Sequence, residues 1–66
     1  MNLPIRLDQF LKRMDVAETG GHAKWLIKSG QVKVNGQEEQ RRGRKLHAGD
    51  IVEVENFTLR VSEQPS

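Results

Sequence analysis

The periodicity of the hydrophobic residues changes at Gly30, and this change limits the fold more than any other feature of the chain. Before Gly30, apolar residues recur every three or four positions, as on one face of an α-helix. They form two groups: Leu7, Phe10, Leu11 and Met14, followed by Ala23, Leu26 and Ile27. After Gly30, apolar and polar residues alternate, as in strands with one buried face. The pattern predicts an α+β fold in which two short N-terminal helices pack on a small, mostly antiparallel β-sheet.

Helix-capping and turn-forming residues indicate where these helices and strands begin and end. We expect helices near residues 7–14 and 20–29, and Thr19 is a suitable N-cap for the second helix. The sheet is expected to contain three segments, residues 32–34, 51–55 and 57–61. Asn35-Gly36 is a strong signal for a hairpin turn between strands.

The predicted core consists of the apolar residues that face inward from these elements. It contains Leu7, Phe10, Leu11, Ala23, Leu26, Ile27, Val32, Val34, Val52 and Val54. In the last strand, the alternation places Phe57 on the apolar face. The carboxylates of Asp50, Glu53 and Glu55 alternate with valines, so we expect them on a solvated strand face rather than in an acid–base pair.

The chain has 66 residues, which predicts a single domain with its core at about residues 5–61 and a frayed tail at 62–66. A domain of this size leaves little room for an enzyme cleft. Cysteine is absent, and the sequence has no Ser-His-Asp arrangement, phosphate-binding glycine loop or metal-ligand cluster. We therefore expect no catalysis, cofactor, metal ion or small-molecule substrate.

The first residues, MNLPIRLDQF, contain no apolar run long enough for a signal peptide or a membrane span. We therefore expect a soluble, cytoplasmic protein that does not contact a membrane, and we take it to be a monomer.

Positive charge is concentrated in the middle of the chain. Residues 20–47 carry seven Lys and Arg against two Glu, a net charge of +5, whereas residues 48–66 carry a net charge of −3. Four of these cations fall within five positions around Gly43, in the connection between two predicted strands: Arg41, Arg42, Arg44 and Lys45. Such a run is either a solvated turn or a footprint for a polyanion, and the planar guanidinium of arginine suits phosphate. Gly43 either lets a ligand backbone approach closely or permits a positive φ.

Three residues of the second predicted helix are further candidates for binding. Lys24 and Lys28 are four positions apart and share a face, where like charges repel each other mildly unless a partner is present. The alternative is an ordinary polar helix face. Trp25 lies away from the apolar stripe of this helix. It either packs against the chain termini or a loop, or it offers a stacking platform to unpaired RNA bases.

Three stretches of the sequence, taken in order, resemble the S4-type RNA-binding domain. They are IRLDQFLKR at residues 5–13, AKWLIKSGQVKVNG at 23–36 and GDIVEV at 49–54. The segments ETGGHAK and RRGRKL are similar to those of the YbcJ-like branch of small stand-alone bacterial proteins. The resemblance covers about residues 5–61 and implies an S4-like fold with the two helices of its αL motif. It also implies non-catalytic binding of structured RNA, often ribosomal or transfer RNA, through the two-helix and hairpin surface.

The start of the second helix departs from the family pattern. Many members have Ser-Arg where this chain has Thr19 and Gly20. The capping residue is kept, but the arginine that often contacts RNA in the family is missing. We interpret residues 41–45 as taking over part of that cationic role. The family also implies an RNA contact for Arg6, for which a salt bridge with Asp8 or another acid is the alternative.

The sequence thus supports one main hypothesis and two alternatives. In the main hypothesis the protein binds RNA through Arg6, Lys24, Trp25, Lys28, Arg41, Arg42, Arg44 and Lys45. In the first alternative it is a protein-interaction module whose basic face docks an acidic partner, with Trp25 as the anchor. In the second alternative it binds DNA without sequence specificity.

Overall fold

The structure of the protein, a computed structural model, describes residues 2–62, so all of the predicted frayed tail except Ser62 lies outside the described residues. This part of the chain contains two helices followed by most of the strands, which confirms the α+β fold. The elements are β1 (Ile5–Arg6), α1 (Leu7–Arg13), α2 (Gly20–Lys28), β2 (Val32–Val34), β3 (Gln37–Glu38), β4 (Lys45–Leu46), β5 (Ile51–Val54) and β6 (Phe57–Arg60).

Both helices begin where the hydrophobic period predicts and end one residue earlier. The side chain of Thr19 accepts a hydrogen bond of 3.0 Å from the backbone N–H of His22, which confirms the predicted N-cap of α2. Past the end of α2, Gly30 has a φ of 85°, a left-handed conformation that suits glycine. Within residues 2–62, neither helix has the length and apolar character needed to cross a bilayer.

Helix α1 begins without a side-chain cap. Its first two amides instead donate to the carbonyls of a segment far along the chain, Leu7 N to Arg44 O at 2.8 Å and Asp8 N to Arg42 O at 3.1 Å. These amides are two of the four that every helix leaves unpaired at its N-terminus. The backbone around residues 42–44 therefore replaces the missing cap, and the helix end in turn fixes the position of that backbone.

The larger sheet is antiparallel and has the strand order β3-β2-β5-β6. The cross-strand pairs between β2 and β5 oppose buried valines, Val32 with Val54 and Val34 with Val52. Strand β5 ends at Val54 rather than at the predicted residue 55, because Glu55 has a φ of 52° and belongs to the turn before β6. The exposed face of β5 carries Glu53, as predicted.

A smaller antiparallel sheet joins β1 to β4, with Ile5 opposite Leu46 and Arg6 opposite Lys45. The sequence did not predict this pair: we expected the whole basic run to lie in a hairpin connection, whereas Lys45 lies in a strand. Two residues are too few to show an alternating pattern, and the two strands are far apart in the sequence. The pairing brings the start of the chain beside the basic run.

The turn after β2 confirms the Asn35-Gly36 signal and adds a second contact. Asn35 and Gly36 have φ values of 54° and 84°, as a tight hairpin requires. The Asn35 side chain also accepts a hydrogen bond from Ile51 N at 2.9 Å and donates one to Asp50 at 3.2 Å. The other Asp50 oxygen accepts a bond from His47 N, which lowers the pKa of Asp50. Asp50 therefore closes a turn and is not part of the solvated strand face that we expected.

All ten predicted core residues are buried, and the core also contains Ala17, Leu46 and Val61. Phe57 lies on the apolar face that alternation predicts, but 53 % of this residue is exposed. Phe57 opposes Val54 at the hairpin end of β6, an edge strand with a neighbour on one side only. Alternation predicts which face a side chain takes but not whether the face is covered at the end of a strand.

Candidate nucleic-acid interface

Residues 41–45, called the basic segment below, are anchored to the fold at both ends. Two carbonyls of the segment accept hydrogen bonds from the first amides of α1. At the far end, Lys45 pairs with Arg6 across β4 and β1, and the next residue, Leu46, is fully buried. The basic segment is therefore a fixed part of the surface, although most of its side chains point into solvent.

The carboxylate of Glu39 holds two of the four cations. Arg44 Nη1 lies 2.7 Å from Glu39 Oε1, and Arg41 Nε lies 3.2 Å from Glu39 Oε2, which also accepts a bond of 3.1 Å from Arg41 N. Only 7 % of Glu39 is exposed. Sequence reasoning missed this residue. The available signal was its position, because Glu38 and Glu39 are the only acids in residues 20–47 and directly precede the basic run.

The remaining two cations are free to meet a ligand. Arg42 and Lys45 are exposed, and neither has an ion-pair partner within the described part of the chain. Arg41 also keeps 79 % of its side chain exposed, whereas Arg44 keeps 31 %. The four cations are therefore not equivalent. Arg41 and Arg44 are paired with Glu39, whereas within residues 2–62 Arg42 and Lys45 are unpaired and accessible to a ligand.

An open hollow of about 560 Å³ lies against the basic segment and is lined by Arg41, Gly43, Arg44 and Lys45. Gly43 does not have a positive φ, so the interpretation that it serves a left-handed turn was wrong. A Cβ built on Gly43 would meet nothing within 4 Å. Because Gly43 has no side chain, the space next to its backbone is open, and a ligand backbone can approach it closely.

Arg6 forms the salt bridge with Asp8 that the sequence offered as one alternative, with Nη2 and Oδ2 2.8 Å apart. The Arg6 side chain nevertheless remains 43 % exposed and lies directly opposite Lys45. Like charges that face each other across two strands repel, and a bound anion would remove that repulsion. Arg6 Nε is also buried with no hydrogen-bond partner among the described residues.

The exposed face of α2 carries Lys24, Trp25 and Lys28, while Ala23, Leu26 and Ile27 are buried against the rest of the core. Trp25 is 58 % exposed, which favours the stacking platform over packing against a loop. Helix α2 packs on α1, whose first amides hold the basic segment. Whether the α2 residues and the basic segment form one continuous face stays a prediction. No three His, Cys, Asp or Glu side chains within residues 2–62 are grouped to hold a metal ion.

Acid should weaken the fold through Glu39. The hydrogen bond from Arg44 and the bonds from Arg41 lower the pKa of Glu39 from 4.5 to about 2, although its burial opposes them. The folded state thus favours the ionised form, and the resulting stability is present above about pH 4.5 and is lost as the pH falls toward 2. Such a shift corresponds to about 3 kcal/mol without screening, and we expect about 1–2 kcal/mol for this pair near solvent.

Urea unfolding of the wild type and of Glu39→Gln across this pH range measures the effect. Because other carboxylates also titrate there, the informative quantity is the difference between the two proteins. We expect that difference to shrink as the pH falls. A constant difference from neutral pH to the acid end would contradict the role given to the Glu39 carboxylate.

Comparison with known proteins matches the chain to one domain family and to proteins whose names refer to the ribosome. The family model described as S4 domain matches residues 2–62. The chain is 53 % identical over 53 residues to the probable ribosome maturation protein RlbA of Bacillus subtilis (strain 168), which covers 80 % of this chain and 75 % of that protein. It is 38 % identical over 59 residues to the small ribosomal subunit protein uS4 of Rickettsia massiliae (strain Mtu5), covering 89 % of this chain but 29 % of that relative. The chain therefore spans less than a third of the uS4 protein.

Proposed function

The chain belongs to the S4 domain family, and from that premise we propose that it is an RNA-binding protein without catalytic activity of its own. In this proposal it acts as a cytoplasmic monomer and contacts structured RNA through the basic segment and Arg6, with Lys24, Trp25 and Lys28 in support. No cofactor is needed, because recognition of this kind uses charge, hydrogen bonds and stacking.

The pairing of β1 with β4 is the observation that most supports this proposal. It joins Arg6 to the basic segment, so five cations from two distant parts of the sequence lie in one neighbourhood. Two of them, Arg6 and Lys45, face each other directly. The Arg6–Lys45 pair by itself lowers stability, because like charges directly opposite each other repel, whereas an RNA backbone with closely spaced phosphates complements it.

The names of the relatives favour ribosomal RNA over transfer RNA as the target. One relative is named a probable ribosome maturation protein and the other a small ribosomal subunit protein. The fixed backbone of the basic segment also suits a folded RNA, whose phosphates keep a fixed geometry. We therefore propose that the protein binds a structured region of ribosomal RNA.

Crosslinking in cells, followed by sequencing of the nucleic acid and identification of proteins bound directly, tests this proposal. We expect ribosomal RNA to be enriched over transfer RNA and messenger RNA. Direct crosslinks to an acidic protein with no RNA would favour the interaction module, in which the exposed Trp25 is the anchor. Recovery of genomic DNA in place of RNA would favour nonspecific DNA binding.

Trp25 should report on RNA binding and contribute to it. Trp25 is the only tryptophan in the chain and is 58 % exposed, so a base stacked on it should quench its fluorescence. Trp25→Ala should weaken the binding of RNA with unpaired bases by about 1–3 kcal/mol, the usual contribution of one stacked base. Trp25→Phe keeps an aromatic face and should bind more tightly than Trp25→Ala. Equal affinity of all three proteins in RNA titrations would remove Trp25 from the interface.

A further inference from the structure

Glu39 lies between the fold and the basic segment, and its contacts suggest a role in selecting the ligand. We propose that Glu39 is a positioning residue that fixes the shape of the basic segment, so that the segment prefers structured RNA over flexible single strands. This inference rests on the proposed RNA binding and adds a determinant of selectivity to it.

The contacts of Glu39 close the basic segment into a fixed loop. Its two carboxylate oxygens bind Arg41 at the start of the segment and Arg44 near the end. A backbone bond of 3.2 Å from Arg44 N to Arg41 O closes the same turn. The Glu39 side chain is only 10 % exposed, whereas the Arg41 side chain remains 79 % exposed. Arg42 and Gly43 are therefore presented at the tip of a loop whose two ends are tied together.

The same contacts lower the charge that the loop offers. The basic segment carries four positive charges, and the Glu39 carboxylate beside them reduces the local sum to +3. A flexible polyanion binds according to charge, so Glu39 weakens its binding. An RNA with fixed phosphates benefits when the arginines are already ordered, because ordering a long side chain during binding costs free energy. Glu39 thus affects the two ligand classes in opposite directions.

A purely structural role explains this arrangement less well. A buried carboxylate–arginine pair is weak evidence for stability, since apolar residues of similar volume often stabilise a fold as much or more. Placing an acid beside a cationic binding segment also has a recognised use, because it suppresses attraction to wrong partners. The position of Glu39, directly under two cations of the proposed interface, fits that use.

The neighbouring residue Glu38 provides a matched control. Glu38→Gln removes the same charge one position earlier, where the carboxylate accepts a hydrogen bond of 2.9 Å from the Gln40 side chain and has no arginine partner within residues 2–62. We would measure the Kd of the wild type, Glu38→Gln and Glu39→Gln for poly(U) and for purified small-subunit ribosomal RNA. All titrations would use one salt concentration and a temperature below the lowest of the three melting temperatures.

Glu39→Gln should bind poly(U) about fivefold more tightly, because it loses one negative charge beside the basic segment, whereas Glu38→Gln, opposite Lys33 in the larger sheet, should gain less than about threefold. Glu38→Gln should bind ribosomal RNA more tightly by a similar factor, so its preference stays that of the wild type. Glu39→Gln should gain nothing for ribosomal RNA, since two arginines lose their order, and its preference should fall about fivefold. An unchanged preference in folded Glu39→Gln would overturn this inference and leave RNA binding intact. Absence of RNA binding by the wild type would overturn the proposed function itself.

Glu39→Asp keeps the test decisive if Glu39→Gln does not fold. Aspartate retains the charge but is one carbon shorter, so it cannot reach both arginines from the same backbone position. We expect a lower preference for ribosomal RNA with no gain in affinity for poly(U). A wild-type preference in folded Glu39→Asp would show that the charge matters and the positioning does not, which would overturn the inference.

Discussion

Replacing Leu46 by alanine should lower the free energy of unfolding by about 2–5 kcal/mol, the range seen when a large apolar side chain is removed from a packed core. Leu46 is fully buried and directly follows the basic segment in strand β4. A domain of 66 residues has a total stability of only about 3–10 kcal/mol. Leu46→Ala should therefore lose a large share of its stability and unfold at a lower urea concentration than the wild type, and RNA binding should be lost together with the fold.

Urea unfolding followed by circular dichroism measures this loss, and Leu59→Ala is the matched control. Leu59 lies on the edge strand β6 and is only partly buried, so the same truncation should cost less, about 1–2 kcal/mol. Equal stability of the two variants would mean that β4 does not attach the basic segment to the core. The burial described for Leu46 would then be wrong.

The sequence predicted the parts of the fold in which one local pattern repeats several times. The helical spacing of Leu7, Phe10 and Leu11 and the alternation of Val32 with Val34 both predicted burial correctly. Thr19 and Asn35 were also predicted correctly, because a capping residue and a hairpin residue act on backbone within a few positions. In each case the determining interaction joins residues only a few positions apart, so a local sequence pattern can predict it.

What the sequence did not predict depends on contacts between distant residues. The β1–β4 pair is two residues long, and its strands are separated in the sequence by both helices and two strands of the larger sheet. Arg42 and Arg44 replace the cap of α1 with their carbonyls, and every residue type has a carbonyl, so no side-chain pattern marks this contact. The exposure of Phe57 depends on which elements cover the end of β6, which alternation does not encode.

The sequence predicted which cations make up the candidate site but not which of them are paired with an acid. The density of arginine identified the basic segment, yet Arg41 and Arg44 looked the same as Arg42 and Lys45 until the position of Glu39 was known. Charge counting treats Glu39 as one more acid, whereas the fold buries it beneath two specific cations. The distinction matters for experiments, because changing Arg44 would also leave a buried carboxylate with one partner fewer.

The double variant Arg42→Gln/Lys45→Gln should lose much of its RNA affinity while keeping its fold. Both side chains are exposed and lack ion-pair partners within the described chain, so their contribution to stability should be below about 1 kcal/mol. Each phosphate contact contributes about 0.7 to the slope of log affinity against log salt for single strands and about 0.9 for a duplex. Losing two contacts should reduce affinity by roughly 30-fold near 0.1 M salt.

A second double variant, Lys33→Gln/Arg60→Gln, changes the net charge of the chain by the same amount at a different place. Lys33 and Arg60 are exposed on the face of the larger sheet that also carries Glu53. If net charge alone governed binding, the two double variants would lose affinity equally. If the basic segment is the interface, the sheet variant should stay within about threefold of the wild type, since neither side chain belongs to that segment and salt screens charges that do not contact phosphate.

The most direct test of RNA binding through the basic segment is therefore a salt series on three proteins. The Kd for small-subunit ribosomal RNA would be measured for the wild type and both double variants, with thermal melts to verify folding. We predict that Arg42→Gln/Lys45→Gln flattens the slope of log affinity against log salt by between about one and two units, and that Lys33→Gln/Arg60→Gln leaves it unchanged. Equal slopes and equal affinities for the two folded variants would contradict the account, because the basic segment would then be an ordinary solvated turn.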